Sequence, residues 1–139
     1  LLYEAYNRVF MAEVLRWLDD NQAGETDALT RLRGMLQTTA TYALENLEIA
    51  RSGIAYDAQK GDMGTALMLV PLLRVITGAG SNELTVRLQA VALISLLQSI
   101  LLKKEAFEAY MGIQLDDAAQ RDALLEQIFN LIVFSKQGE

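Results

Sequence analysis

Four glutamates in two pairs, Glu45 with Glu48 and Glu105 with Glu108, are the residues whose spacing comes nearest to a reaction centre. Three residues is close to one helical turn, so each pair sets two carboxylates on one helix face. Two such faces brought together can hold Mg²⁺, and such an ion polarises a phosphoryl oxygen. A magnesium-dependent phosphohydrolase is therefore the reaction class to weigh. The same spacing also suits two solvated helix faces, with Arg51 and Lys104 nearby to balance charge. A third carboxylate pair and a phosphate-binding basic group are not apparent, so the solvated reading leads. No residue is assigned to catalysis, to a metal or to a cofactor.

The remaining chemistry is narrowed by what the 139 residues omit. There is no histidine, hence no imidazole base near neutral pH and none of the commonest ligand for transition metals. Serine–histidine and cysteine–histidine catalysis and Glu-x-x-His di-iron sites are excluded. There is no cysteine, hence no disulfide and no thiolate zinc site, and a reducing, cytoplasmic interior is mildly favoured. A net charge of −6 has the wrong sign for neutralising phosphates, so nucleic acid is not an expected partner. Asp19-Asp20 and Asp116-Asp117 fall where helices should end or begin, and carboxylates there cap backbone amides. Gly61-Asp62-Met63-Gly64 and Gly78-Ala79-Gly80 lack the spacing of a phosphate cradle and read as connectors.

The aromatic residues Tyr3, Tyr6, Phe10, Trp17, Tyr42 and Tyr56 are the candidate interaction residues, because tyrosine and tryptophan are enriched at binding hot spots. They are equally good helix-packing residues, and core or subunit packing is the favoured role. Met11, Met35, Met63, Met68 and Met111 are scattered, which suits gap filling more than one adaptable groove.

Elements that would position these residues follow from the apolar period, and five helices are expected. Leu2, Tyr6, Val9, Phe10, Val14, Trp17 and Leu18 trace one stripe from Leu2 to about Asp20. A second helix, capped by Thr26 or Asp27, carries Leu29, Leu32, Leu36, Ala40, Ala43, Leu47, Ala50 and Ile54 without a break. The third covers Thr65 to Thr77, with Pro71 expected in its first turns or at a kink. Ser81 or Asn82 should cap the fourth, which runs through Leu102 and onward towards Tyr110. Its first half is apolar nearly all round, so it is expected to be the central, most buried element. Its nearly uncharged stretch, Leu88 to Leu102, is shorter than the roughly 20 residues that span a bilayer, so a membrane is not an expected partner. Gly112 punctuates. Asp117 and Gln120 then form a capping box for a fifth helix, Ala118 to Ser135, that buries Leu124, Leu125, Ile128, Phe129, Leu131 and Ile132.

The expected class is all-α: a compact antiparallel bundle, or a short stack of helical repeats, in a single domain over residues 1–139. The start on Leu1 suggests a domain excised from a longer protein. Leu69-Val70-Pro71-Leu72-Leu73-Arg74-Val75-Ile76 resembles the first helix of a HEAT or armadillo repeat. Val86-Arg87 with Ala90, Leu93, Leu96 and Leu97 resembles the second helix. The resemblance covers residues 66–102, about a quarter of the chain, and departs from the family in the turn, where glycines replace the usual aspartate. It implies binding to a protein partner on a helical surface, without catalysis.

Three functions are thus in view. First is a non-catalytic interaction module, a scaffold, adaptor or regulatory domain that binds another protein or itself as a homo-oligomer. Second is a ligand-sensing domain with an apolar pocket among the third, fourth and fifth helices. The phosphohydrolase comes third.

Overall fold

Six α-helices and no strand make up the described residues of the computed structural model, which are Arg8, Ala12, 25–78, 80 and 82–133. In chain order they are α1 (Glu25–Glu45), α2 (Leu47–Lys60), α3 (Gly64–Thr77), α4 (Glu83–Leu102), α5 (Lys104–Met111) and α6 (Ala118–Ile132). The all-α expectation holds; among the described residues, the four helices expected there appear as six. The expected stripe over Leu2 to Asp20 lies outside the described residues; Arg8 and Ala12, which do not belong to that stripe, are helical and exposed.

Two long expected helices are each divided. The seam from Leu29 to Ile54 breaks at Asn46, which has φ −128° and ψ 48°. Its side-chain Nδ2 donates to the Tyr42 carbonyl at 2.9 Å, and its backbone amide is shared between Tyr42 and Ala43 at 3.1 and 3.2 Å. A short polar side chain has thus competed with the helix for its own carbonyls. The second break, at Lys103, separates α4 from α5. Here Arg51 of α2 donates through Nε to the Leu101 carbonyl at 2.9 Å, taking the oxygen that the Glu105 amide would otherwise use. The Glu105 carboxylate accepts its own released amide and is held below the usual carboxylate range by that bond, with further help from Arg51.

Other ends follow the sequence more closely. Asn82 caps α4 by accepting from the Leu84 amide at 2.7 Å. Asp117 caps α6, its Oδ1 accepting from the amides of Ala119 and Gln120. The expected box is only half formed. Gln120 does not return to the Asp117 amide; its Oε1 accepts from the Gln114 amide, and its Nε2 donates to Asp117 Oδ2. Gly61 and Gly112 close α2 and α5 with φ of 68° and 70°, a region open to glycine because it lacks a Cβ. Thr26 and Asp27 are already inside α1, so neither is its cap. Pro71 stands in the interior of α3 at an exposed position, and its missing amide leaves the carbonyl of the likewise exposed Leu67 without that helical partner.

The core is assembled around α1 and α4. Leu32 and Met35 of α1 pack with Leu69, Leu73 and Ile76 of α3, with Val86, Ala90 and Leu93 of α4, and with Ile128 and Phe129 of α6. Helix α1 touches α2, α3, α4 and α6, while α4 touches every other described helix. Substituting Leu93, which is fully buried, by alanine removes a side chain from that junction. The expected cost is about 2–5 kcal/mol of unfolding free energy, read as a lower denaturant midpoint at unchanged slope.

Candidate functional site

An apolar surface on α4 and α3 stands out once the core is accounted for. Val86, Ala90, Leu93 and Ile100 take the inner side of α4. The opposite side carries Leu84 and Leu88, 66% and 59% exposed, then Ala92, Ser95, the half-buried Ser99, and Leu102. These positions recur every three or four residues, so they form one stripe along the full length of the helix. Leu67, Pro71 and Val75 make a parallel exposed stripe on α3, the helix that packs most closely on α4. No charged residue interrupts α4 between Arg87 and Lys103. The expectation that α4 would be the most enclosed element is therefore corrected. Among the described residues, neighbours cover its inner side and flanks, and its apolar residues continue onto the exposed side.

Leu131 of α6 needs the same correction, being 70% exposed where a core position was expected. Its turn of α6 meets α4, since the adjacent Ile132 carbonyl accepts from Gln89 Nε2 at 3.3 Å. Sequence reasoning missed these leucines. The one signal for them was the number of apolar residues on α4, more than one face of a helix can hold.

Charged groups ring the ends of the stripe. Glu83 accepts from Arg74 at 2.7 Å and from Arg87 at 3.1 Å, joining α3 to the first turn of α4. Hydrogen bonds from Arg74 and then Arg87 hold its carboxyl below the ordinary carboxylate range. At the other end Lys103 is exposed, and Arg51 reaches Glu105 at 3.2 Å.

The two described aromatic candidates, Tyr42 and Tyr56, are not at this surface. Tyr3, Tyr6, Phe10 and Trp17 lie outside the described residues. Tyr42 is half-buried on α1 at a groove shared with α6, and Tyr56 is exposed on α2 with the Lys60 ammonium 5.3 Å from its ring centre. The glutamate pairs have also been separated or engaged. Glu45 ends α1 while Glu48 lies in the first turn of α2, so they do not share a helix. Glu108 is 11% exposed and held by Lys104 at 3.3 Å and by the Leu115 amide at 2.8 Å. No group of three or more acidic residues able to hold a metal is present among the described residues.

An apolar cavity of about 50 Å³ lies where α1, α4 and α6 meet, lined mainly by Ala40, Leu44, Leu97, Ile100, Leu124 and Leu125. The expected pocket involved the third helix, here α3; this one uses α1 instead, and it is well below the roughly 300 Å³ of a typical ligand site. Comparison with protein families, with characterised proteins and with solved structures finds no match.

The Arg74–Glu83–Arg87 cluster gives a pH dependence with a definite sign. A carboxyl whose folded pKa is depressed stabilises the fold above the ordinary value of 4.5 and loses that contribution as pH falls through the lower folded value. Glu83→Gln should therefore narrow the drop in Tm between neutral pH and acid, with the difference from the parent chain vanishing below the folded pKa. Thermal melts across that range test it.

Proposed function

We propose that this chain is a non-catalytic helical interaction module that pairs with a second copy of itself through the outer face of α4. The observation that carries this reading is the bare stripe from Leu84 to Leu102 on a helix whose other side is fully packed. Apolar surface removed from water contributes about 25 cal/mol per Å², so exposed Leu84, Leu88 and Leu102 on one helix side favour association.

The stripe is also close to self-complementary, as a two-fold interface requires. Two α4 helices running antiparallel about the middle of the helix would set Leu84 near Leu102 of the other copy. Ala92 and Ser95 would then meet at the crossing, where small side chains let backbones approach. Glu83 would lie near Lys103 across the interface, opposite in charge, and the helix dipoles would oppose. Leu131, from the turn of α6 beside Gln89, extends the same surface.

Within each copy we read the arrangement as a bundle. Helix α1 packs on α2, α3, α4 and α6 together, whereas a repeat stack would restrict each hairpin to its sequence neighbours. The α3–α4 hairpin that resembles a HEAT or armadillo repeat supports the idea of a binding surface more than it supports a solenoid.

By length and composition α4 could also cross a membrane. A protein partner is preferred because the stripe includes Ser95 and Ser99 and because Val86, Ala90, Leu93 and Ile100 belong to the core. Leu88→Glu, at an exposed site, should leave the monomer fold and its circular dichroism unchanged. Light scattering should show a dimer for the parent chain and a monomer for the variant. A parent chain that stays monomeric at all concentrations, or that binds neutral vesicles, contradicts the proposal.

A further inference from the structure

A second site stands apart from the α4 stripe, where α1 meets α6. A groove of about 400 Å³ is bordered by Gln37, Thr38, Thr41, Tyr42, Glu45 and Asp122. On the next faces of the same turns, Ala40 and Leu44 look into the apolar cavity of about 50 Å³. Arg121 borders both spaces. Its guanidinium donates to the Leu115 carbonyl at 2.8 Å and to Thr41 Oγ1 at 3.3 Å, while its Nε is buried without a partner. Leu115, also at the cavity wall, is fixed from the other side by the Glu108 carboxylate on its amide at 2.8 Å.

From this arrangement we propose that the α1–α6 groove and the cavity beneath it form one binding site for a small uncharged amphiphile. The head is an amide or alcohol in the groove, and the tail enters the cavity. Groove and cavity together fall within the few hundred Å³ of ordinary small-molecule sites. The groove presents donors in Arg121 and Gln37, acceptors in Glu45 and Asp122, and the Thr38 hydroxyl, which serves as either, while Thr41 already donates to the Gln37 carbonyl at 2.9 Å. An anionic head would face Glu45 and Asp122, and a cationic head would face Arg121, so a neutral head that both donates and accepts fits best. The cavity lining is apolar, so water gains little there, and the void forfeits dispersion contacts that a hydrocarbon would restore. A cavity of about 150 Å³ accommodates benzene, so the cavity here takes roughly the last two carbons of a tail whose first methylene stays in the groove.

Butanamide is a suitable probe, with the full chain observed by ¹³C-methyl and ¹⁵N NMR. The expected result is saturable shifts in the Leu97 and Leu124 methyls together with the Thr38 and Tyr42 amides. Butanoate and butylammonium should bind about tenfold more weakly, because each places a charge against a like charge. Ala40→Leu fills the cavity and should abolish the methyl response, and Leu124→Phe should do the same by a different side chain. Absence of saturable shifts with butanamide overturns the proposal, as does an equal response to acetamide or persistence of the methyl shifts in both filled variants. The site shares no residue with the α4 stripe, so this result stands or falls independently of self-association.

Discussion

One helix carries more apolar surface than the other described helices cover, and their arrangement is built around that constraint. Helix α4 has leucine, isoleucine, valine or alanine on nearly every side, yet the other described helices reach it only from within the core and along its flanks. Val86, Ala90, Leu93 and Ile100 close the interior with no polar atom to satisfy, while Leu84, Leu88 and Leu102 are left outside. Hydrophobic burial has no preferred direction, so the force that fixes the inner side of α4 acts on the outer side as well. In the proposed pairing, a second copy supplies that cover.

Polar interactions act differently, deciding where helices stop and how loops lie. Arg51 draws the Leu101 carbonyl out of the helical ladder and so turns α5 away from α4. Glu108 accepts from the Leu115 amide and Arg121 donates to the Leu115 carbonyl, which fixes the loop that carries the chain into α6. Arg33 donates from Nη2 to Glu126 at 3.0 Å, with its Nε in ion-pair range at 2.9 Å, and stands over the Phe129 ring, joining α1 to α6 at the rim of the core. Exposed ion pairs of this kind contribute on the order of 0–1 kcal/mol each, so they set geometry more than stability.

The helical class, the connectors at Gly61 and Gly112, and the caps at Asn82 and Asp117 were legible in the sequence because they depend on neighbours within a few residues. The breaks at Asn46 and Lys103 were not. Neither has a nearby glycine or proline, and the second depends on an arginine 52 residues earlier in the chain. Apolar period alone could not tell which leucines of α4 face the core, since no polar stripe marks a preferred outer side. Leu131 misled for a similar reason: it follows Phe129 and Ile128 in an apolar run, but its angle on α6 carries it outward. Tyrosine and tryptophan, weighed as interaction residues by type, directed attention to α1, α2 and the segment before them. The exposed leucines were hidden by being read as core.

The most direct measurement is the solvent accessibility of leucine methyls across a dilution series, read by relaxation from an inert, soluble paramagnetic agent. Self-pairing through α4 predicts that Leu84, Leu88 and Leu102 are shielded at high protein concentration and become accessible together on dilution, while Leu67 on α3 stays accessible and Leu93 stays shielded. Accessibility of Leu84 and Leu88 that is high and unchanged at every concentration would contradict it.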